Sequence, residues 1–141
     1  MRFVYPAEIT EAPDGWTVTF PDVPEAITGG ATRDEAIGRA GEALVSALSL
    51  YVEAGERLPS PSPAKGRPLV SVTALEAAKL ALYQAMSEDG LSKVELARRM
   101  GKHERAIRRL LDPLHRSHIG EVETALRNLG RRIEISVREA A

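Results

Sequence analysis

A chain of 141 residues, 43% hydrophobic and 28% charged, can bury a core of its own, as one domain or as two small ones. The absence of cysteine excludes a disulfide scaffold or a thiolate metal site and fits a reducing cytoplasm, and with no apolar run of about 18 residues and no basic-then-apolar leader, neither a membrane span nor a secretion signal is expected. The formal net charge of −1 conceals a division: Met1 to Leu58 holds 4 Lys and Arg against 10 Asp and Glu, net −6, whereas Pro59 to Ala141 holds 15 against 10, net +5, so the two halves suit different kinds of partner.

In chain order, Phe3 to Ile9 reads as a first strand and Trp16 to Phe20 as a second, with Pro13, Asp14 and Gly15 supplying the turn of a hairpin. Pro21 and Pro24 impose an irregular loop. Ala26 to Thr28 reads as a third short strand, ended by Gly29 and Gly30. Thr32 and Glu35 have capping-box spacing and open a long helix to about Gly55. Its Ala36, Ile37, Ala40, Leu44, Ala47, Leu48 and Tyr51 form an apolar stripe that must lie on the sheet. The prolines of LPSPSPAKGRP forbid helix, so residues 59–68 are expected to run as a semi-extended linker. Leu69 to Val72 is the candidate for a further strand on that sheet. The N-terminal half is then an α+β unit of order βββαβ, with a domain boundary near Val72 that divides the chain into 1–72 and 73–141.

The second half is helical. Ser92 and Glu95 repeat the capping-box spacing, so a helix starts at Lys93 and buries Leu96, Ala97 and Met100. Gly101 follows, where the chain must turn sharply and a residue without Cβ accepts positive φ at little cost. On the next helix Ala106, Ile107, Leu110 and Leu111 fall on one side; Glu104, Arg105, Arg108 and Arg109 fall on the other. An ordinary solvated helix can carry such a face, but the cap, the small Ala97 four residues before Gly101 and the apolar register agree on two helices packed across a tight turn, with arginines outward. Asp112 and Pro113 end that helix. Ser117 can cap another, striped by Ile119, Val122, Ala125, Leu126 and Leu129 and stopped by Gly130. The final Arg132 to Val137 alternates as a half-buried strand does. Its Ile133, Ile135 and Val137 share one face and are candidates for a contact with a second copy, giving a homodimer.

The segment from Leu91 to Asp112 resembles the helix-turn-helix DNA-binding domains of the Cro and lambda-repressor class, also called Xre-type. That resemblance implies an operator-DNA partner. Lys93 opens the first motif helix, Glu104, Arg105 and Arg108 take the places that reach base edges, and Lys102, His103 and Arg109 lie where phosphates pass. The chain as a whole resembles the HicB-type antitoxins. Phe20-Pro21-Asp22-Val23-Pro24, then Thr28-Gly29-Gly30, then Thr32-x-x-Glu35-Ala36 opening a helix, then Gly55 and a proline-rich run, is that family's N-terminal arrangement. The resemblance implies an N-terminal domain like a truncated ribonuclease H fold, which binds a HicA-type messenger-RNA-cleaving toxin, and a C-terminal domain that binds the operator. Some members carry a ribbon-helix-helix there, and the motif above places this chain in the other branch. Asp22 and Glu25, on the irregular loop, are the candidate toxin contacts.

The ribonuclease likeness raises a nuclease, for which Asp14, Asp22, Asp34 and Glu42 are the available carboxylates. They fall in a hairpin turn, a proline-flanked loop, and a helix's first turn and interior, and nothing gathers them as a metal site requires. His103, His115 and His118 also lack metal-ligand spacing and sit beside a basic helix, where phosphate contact is the better use. No metal, cofactor or catalytic group is expected. An acidic, noncatalytic domain instead offers a basic nuclease a surface that competes with RNA. A stand-alone regulator whose N-terminal domain binds a small ligand or another protein is the alternative.

Overall fold

The computed structural model describes residues 1–140, which divide into two compact units, the first Met1–Thr73 and the second beginning at Ala74. The fold is mixed α+β, with small antiparallel sheets first and helices after. The first unit runs β1 (Val4–Pro6), β2 (Glu8–Ala12), β3 (Gly15–Thr19), β4 (Ile27–Gly30), α1 (Arg33–Ala54) and β5 (Leu69–Ser71). The second holds α2 (Ala74–Asp89), α3 (Lys93–Met100), α4 (Glu104–Leu111) and α5 (Ile119–Asn128).

The expected single first strand is two. Tyr5, Pro6 and Ala7 are all buried, and the chain changes partner at Ala7, residues 4–6 pairing with one strand and residues 8–12 with another. β1 pairs antiparallel with β5, Tyr5 opposite Val70, and β2 pairs with β3, Ile9 opposite Val18. The expected order βββαβ is therefore corrected to four strands before the helix and one after it. The hairpin turn at Pro13 and Asp14 stands where the sequence put it.

Gly29 and Gly30 do not end the third strand of the sheet; they are part of β4, paired with Thr17 and Trp16. Their small size serves close approach instead. A Cβ on Gly30 would lie 2.7 Å from the backbone nitrogen of Ala36 in the first turn of α1, and one on Gly29 would lie 2.6 Å from the Trp16 carbonyl. α1 is thus seated directly on β4. Thr32 caps it, its hydroxyl accepting from the Glu35 N–H at 3.1 Å, and Gly55 closes it in the left-handed conformation. Ala36, Ala40, Leu44, Ala47 and Leu48 are buried as the stripe required, but Ile37 is exposed.

Residues 59–68 form no helix, yet they are not a free linker. The Tyr5 hydroxyl donates to the Pro59 carbonyl at 2.7 Å, the Asp22 carboxylate accepts from the N–H and hydroxyl of Ser62 at 2.9 and 2.8 Å, and Arg67 donates to the carbonyls of Pro63 and Ala64. The segment is a crossover bound to its own unit, which returns the chain from α1 to β5.

In the second unit Leu82, Met86, Leu96, Ile107, Leu110, Val122 and Leu126 belong to one buried cluster. The terminal segment makes no strand in the single chain. Arg131 is held by Glu88 and Asp89 at the end of α2, and Ile133 packs partly against the cluster, whereas Ile135 and Val137 are 71% and 91% exposed. The short β-strand expected at the end of the chain is corrected accordingly, since a lone strand has no neighbour to complete its hydrogen bonds.

Gly30→Ala should destabilise the protein by about 1–3 kcal/mol, because its methyl group meets backbone rather than a yielding side chain. Gly38→Ala, on the exposed face of α1 with nothing within 4 Å, should stabilise it by about 0.5–1 kcal/mol. Urea denaturation of both variants beside the parent measures this; equal effects would contradict the seating of α1 on β4.

Candidate functional site

α3 and α4 each bury one face and turn arginines outward from the other. The Ser92 hydroxyl accepts from the Glu95 N–H at 3.1 Å and starts α3, but the Glu95 carboxylate does not return to the cap. Arg98 and Arg99 take it instead, and hydrogen bonding from Arg98 holds its carboxyl below the usual range. Gly101, at φ 62°, ends α3, and Lys102 donates its N–H to the Ala97 carbonyl at 2.9 Å. After this three-residue turn α4 begins at Glu104, and its N-cap His103 makes no side-chain cap bond. Ile107, Leu110 and Leu111 are buried and Ala106 partly so; Arg105, Arg108 and Arg109 face solvent.

The outward groups are not equivalent. Arg108 bonds Glu104 one turn before it at 2.8 Å, an exposed pair of small energetic weight that nonetheless orients the guanidinium. Among the described residues, no ion pair engages the side chains of Lys93, Lys102, Arg105 or Arg109. The structure therefore gathers Glu104, Arg105, Arg108 and Arg109 on one exposed helix, with Lys102 and His103 in the turn before it and Lys93 at the start of α3.

Sequence reasoning missed the group that holds α4 in place. Lys79 of α2 is fully buried, and its ammonium donates to the Arg109 carbonyl at 2.7 Å, the Asp112 carbonyl at 3.0 Å and the Ser117 hydroxyl at 2.8 Å. A cation satisfies the free carbonyls at a helix C-terminus and complements its dipole. Burial pulls the lysine's pKa down, against the opposing pull of Asp112 and Glu121. A signal was present: Lys79, Leu82 and Met86 lie three and four residues apart, which puts the lysine on the core side of α2. Because Ser117 serves Lys79, the N-cap of α5 is His118, one residue later than expected.

In the first unit, Asp22 and Glu25 are both occupied within the fold. Asp22 holds Ser62, and both oxygens of Glu25 accept from the Tyr51 hydroxyl at 2.8 Å. Asp14, Asp34 and Glu42 are exposed on a turn and on α1, and among the described residues no three His, Asp or Glu side chains gather to hold a metal ion.

Residues 4–81 match a protein family described as the HicB_like antitoxin of bacterial toxin-antitoxin systems. The chain is 40% identical over 131 residues to Antitoxin HicB 2 of Photorhabdus laumondii, a match covering 93% of this chain and 94% of that protein. It is 39% identical to Antitoxin HicB of Pseudomonas fluorescens, covering 99% and 97%, and 37% identical to Antitoxin HicB of Escherichia coli, covering 93% and 96%.

The loop that carries Asp22 and Glu25 depends on two neutral phenols. Burial, with Asp22 nearby, pushes the Tyr5 pKa up to about 12, and the hydrogen bond to Glu25 does the same for Tyr51. Between pH 10 and 12 the folded protein then binds more protons than the unfolded chain, so the stability these groups contribute is complete below about pH 10 and is lost as pH rises through 12. Phenolate absorbance, assigned by Tyr5→Phe and Tyr51→Phe, should show Tyr5 and Tyr51 ionising late, and Tyr51→Phe should flatten the fall in stability across that window. Ionisation of Tyr5 and Tyr51 near pH 10 in folded protein would contradict the burial of the first and the Glu25 bond of the second.

Proposed function

Because the chain belongs to the HicB-like antitoxin family of bacterial toxin–antitoxin systems, we propose that it neutralises a HicA-type messenger-RNA-cleaving toxin with its first unit and represses its own operon with its second. It is an antitoxin, not an enzyme. The observation that carries the combined reading is that one chain joins a stretch matching the antitoxin family to a helix whose exposed face presents Arg105 and Arg109, without an ion pair among the described residues, beside Arg108. α3 and α4 are read as an Xre-type helix-turn-helix, with α4 in the major groove. Arg105, Arg108 and Glu104 read base edges there, while Lys93, Lys102, His103 and Arg109 meet the backbone.

The first unit, residues 1–72, is read as a truncated ribonuclease H-like platform that keeps carboxylates without a metal site, acting in the cytoplasm, and residues 73–141 as the DNA-binding and dimerising domain. A toxin that grips RNA presents cations, and the first unit, with 10 Asp and Glu against 6 Lys and Arg over residues 1–72, competes for them through its excess of four carboxylates. Asp22 and Glu25 already hold Ser62 and Tyr51, so a toxin contact there would share carboxylates that the fold uses. Glu11, Asp14, Asp34 and Glu42, which hold no partner among the described residues, are the better-supported contacts.

Co-expression with the cognate toxin should restore growth, and the purified protein should shift promoter DNA from its own operon. Arg105→Ala or Arg108→Ala should cost about 1–3 kcal/mol of operator affinity and relax discrimination at one base pair per half-site, since an arginine fork matches guanine O6 and N7. Uniform weakening across all single-base operator variants would sink the base-reading role, and failure to rescue growth would sink the antitoxin role.

We also assign the dimer contact to Ile133, Ile135 and Val137, pairing across a two-fold axis that sets two copies of α4 about 34–36 Å apart on successive major grooves. Exposure of Ile135 means that Ile135→Lys should fold normally yet sediment as a monomer and bind the operator weakly. A folded variant that remains dimeric and binds fully would move the contact elsewhere.

A further inference from the structure

Resting on the DNA-binding reading, we propose that a cleft at the C-terminal end of α4 is a built seat for one phosphate of the DNA backbone, with the Ser117 hydroxyl as its central donor. The cleft has a volume of about 490 Å³ and is lined by Arg109, His115, Arg116, Ser117 and His118, with Glu121 as its one acid. Arg109 and Arg116 have no ion-pair partner among the described residues.

The argument begins beneath the cleft, at Lys79. Buried charges are ordinarily paired with an opposite charge. Here all three ammonium donors end on neutral oxygens, two carbonyls and the Ser117 hydroxyl. Ammonium has no acceptor, so Ser117 receives that bond on a lone pair and its own proton must point elsewhere. Among the described residues the hydroxyl has no acceptor. Ser117 is half-buried, bonded to the lysine on one side and opening into the cleft on the other. A hydroxyl that accepts from a cation is a polarised donor, and its strongest match is an anionic oxygen.

The location selects the backbone of DNA as the source of that oxygen. Arg109 lies on the same helix as Arg105 and Arg108, so an anion bound here stands just past the base-reading face, where a duplex entering along α4 carries its phosphates. Lys79 thereby ties the phosphate seat and the helix C-terminus to one atom.

The test uses full-length protein, a fluorescent duplex of its own promoter and a scrambled duplex, titrated at several salt concentrations. Ser117→Ala should weaken both duplexes alike, by roughly tenfold, without changing the salt slope, because it removes a hydrogen bond and no charge. Ser117→Thr should restore binding. Arg116→Ala should weaken both duplexes and lower the slope by about one. Replacing single phosphates by neutral methylphosphonates should reveal one position per half-site at which the wild type loses affinity and Ser117→Ala loses no more. Ser117→Ala and Arg116→Ala variants that bind both duplexes as the wild type does would overturn the seat while leaving the DNA-binding reading intact. A wild type that binds neither duplex would overturn both. Saturable binding of inorganic phosphate at Ser117 and His118 without any effect of the variants on DNA would reassign the cleft to a free anion.

Discussion

One buried ammonium sets the geometry of the second unit. Removing the Lys79 charge from water costs several kcal/mol, and the fold offsets this by supplying three acceptors within 3.0 Å, with Asp112 and Glu121 adding opposite charge nearby. Those acceptors come from the last turn of α4, from its C-cap and from the residue before the N-cap of α5, while the donor comes from α2. An aliphatic side chain could fill the same volume, but it could not fix the end of α4 to within a hydrogen-bond length. α4 has only eight residues, and isolated helices of that length are unstable in water, so its orientation is owed to what it is tied to. At one end are Gly101 and the Lys102-to-Ala97 bond; at the other is Lys79.

The first unit solves a similar problem with a carboxylate and close packing. Its crossover from α1 to β5 is proline-rich and cannot make its own regular hydrogen bonds. One carboxylate oxygen of Asp22 accepts two hydrogen bonds from Ser62 and Tyr5 donates one to Pro59, so the segment is ordered by side chains from the strands and the loop after β3. The same loop is tethered to α1 by Glu25 and Tyr51. Acids that looked available for a partner are therefore largely what shapes the unit, and the surface left to a partner is drawn from carboxylates the fold does not use.

Local rules made much of this legible in the sequence. Thr32 and Glu35, Ser92 and Glu95, Gly55 and Gly101 mark helix ends by backbone chemistry confined to four or five residues, and the stripes on α1, α4 and α5 follow from a period of 3.6. What escaped depends on partners distant in sequence. The change of partner at Ala7 arises because β1 must pair with residues more than sixty positions on. Asp22 reads as a free loop acid until Ser62, forty residues later, is beside it. Lys79 is separated from its acceptors by 30 to 38 residues, so no local pattern around α2 announces them. Gly29 and Gly30 were read as strand terminators because a turn and a close helix approach ask for the same residue. The terminal segment alternates as a strand does, but alternation specifies a face and not the neighbour that would complete it.

On the DNA-binding reading proposed above, the electrostatics of the second unit favour discrimination over general attraction. The whole chain carries a formal charge of −1, so its far field does little to draw it to a polyanion, and the affinity has to come from contacts at the surface itself. Even there the fold restrains its cations. Glu95 engages both Arg98 and Arg99 on α3, and Glu104 engages Arg108 on α4. An arginine held by a carboxylate gains little from any phosphate that happens by, because the exchange replaces one anion with another. It gains more from a guanine edge, where the fork can bond two acceptors while the carboxylate keeps its hold on the far side. Glutamates on a DNA-reading surface therefore lower binding to arbitrary sequence more than binding to the right one, which is the balance a protein needs if it is to find one promoter among many competing sites.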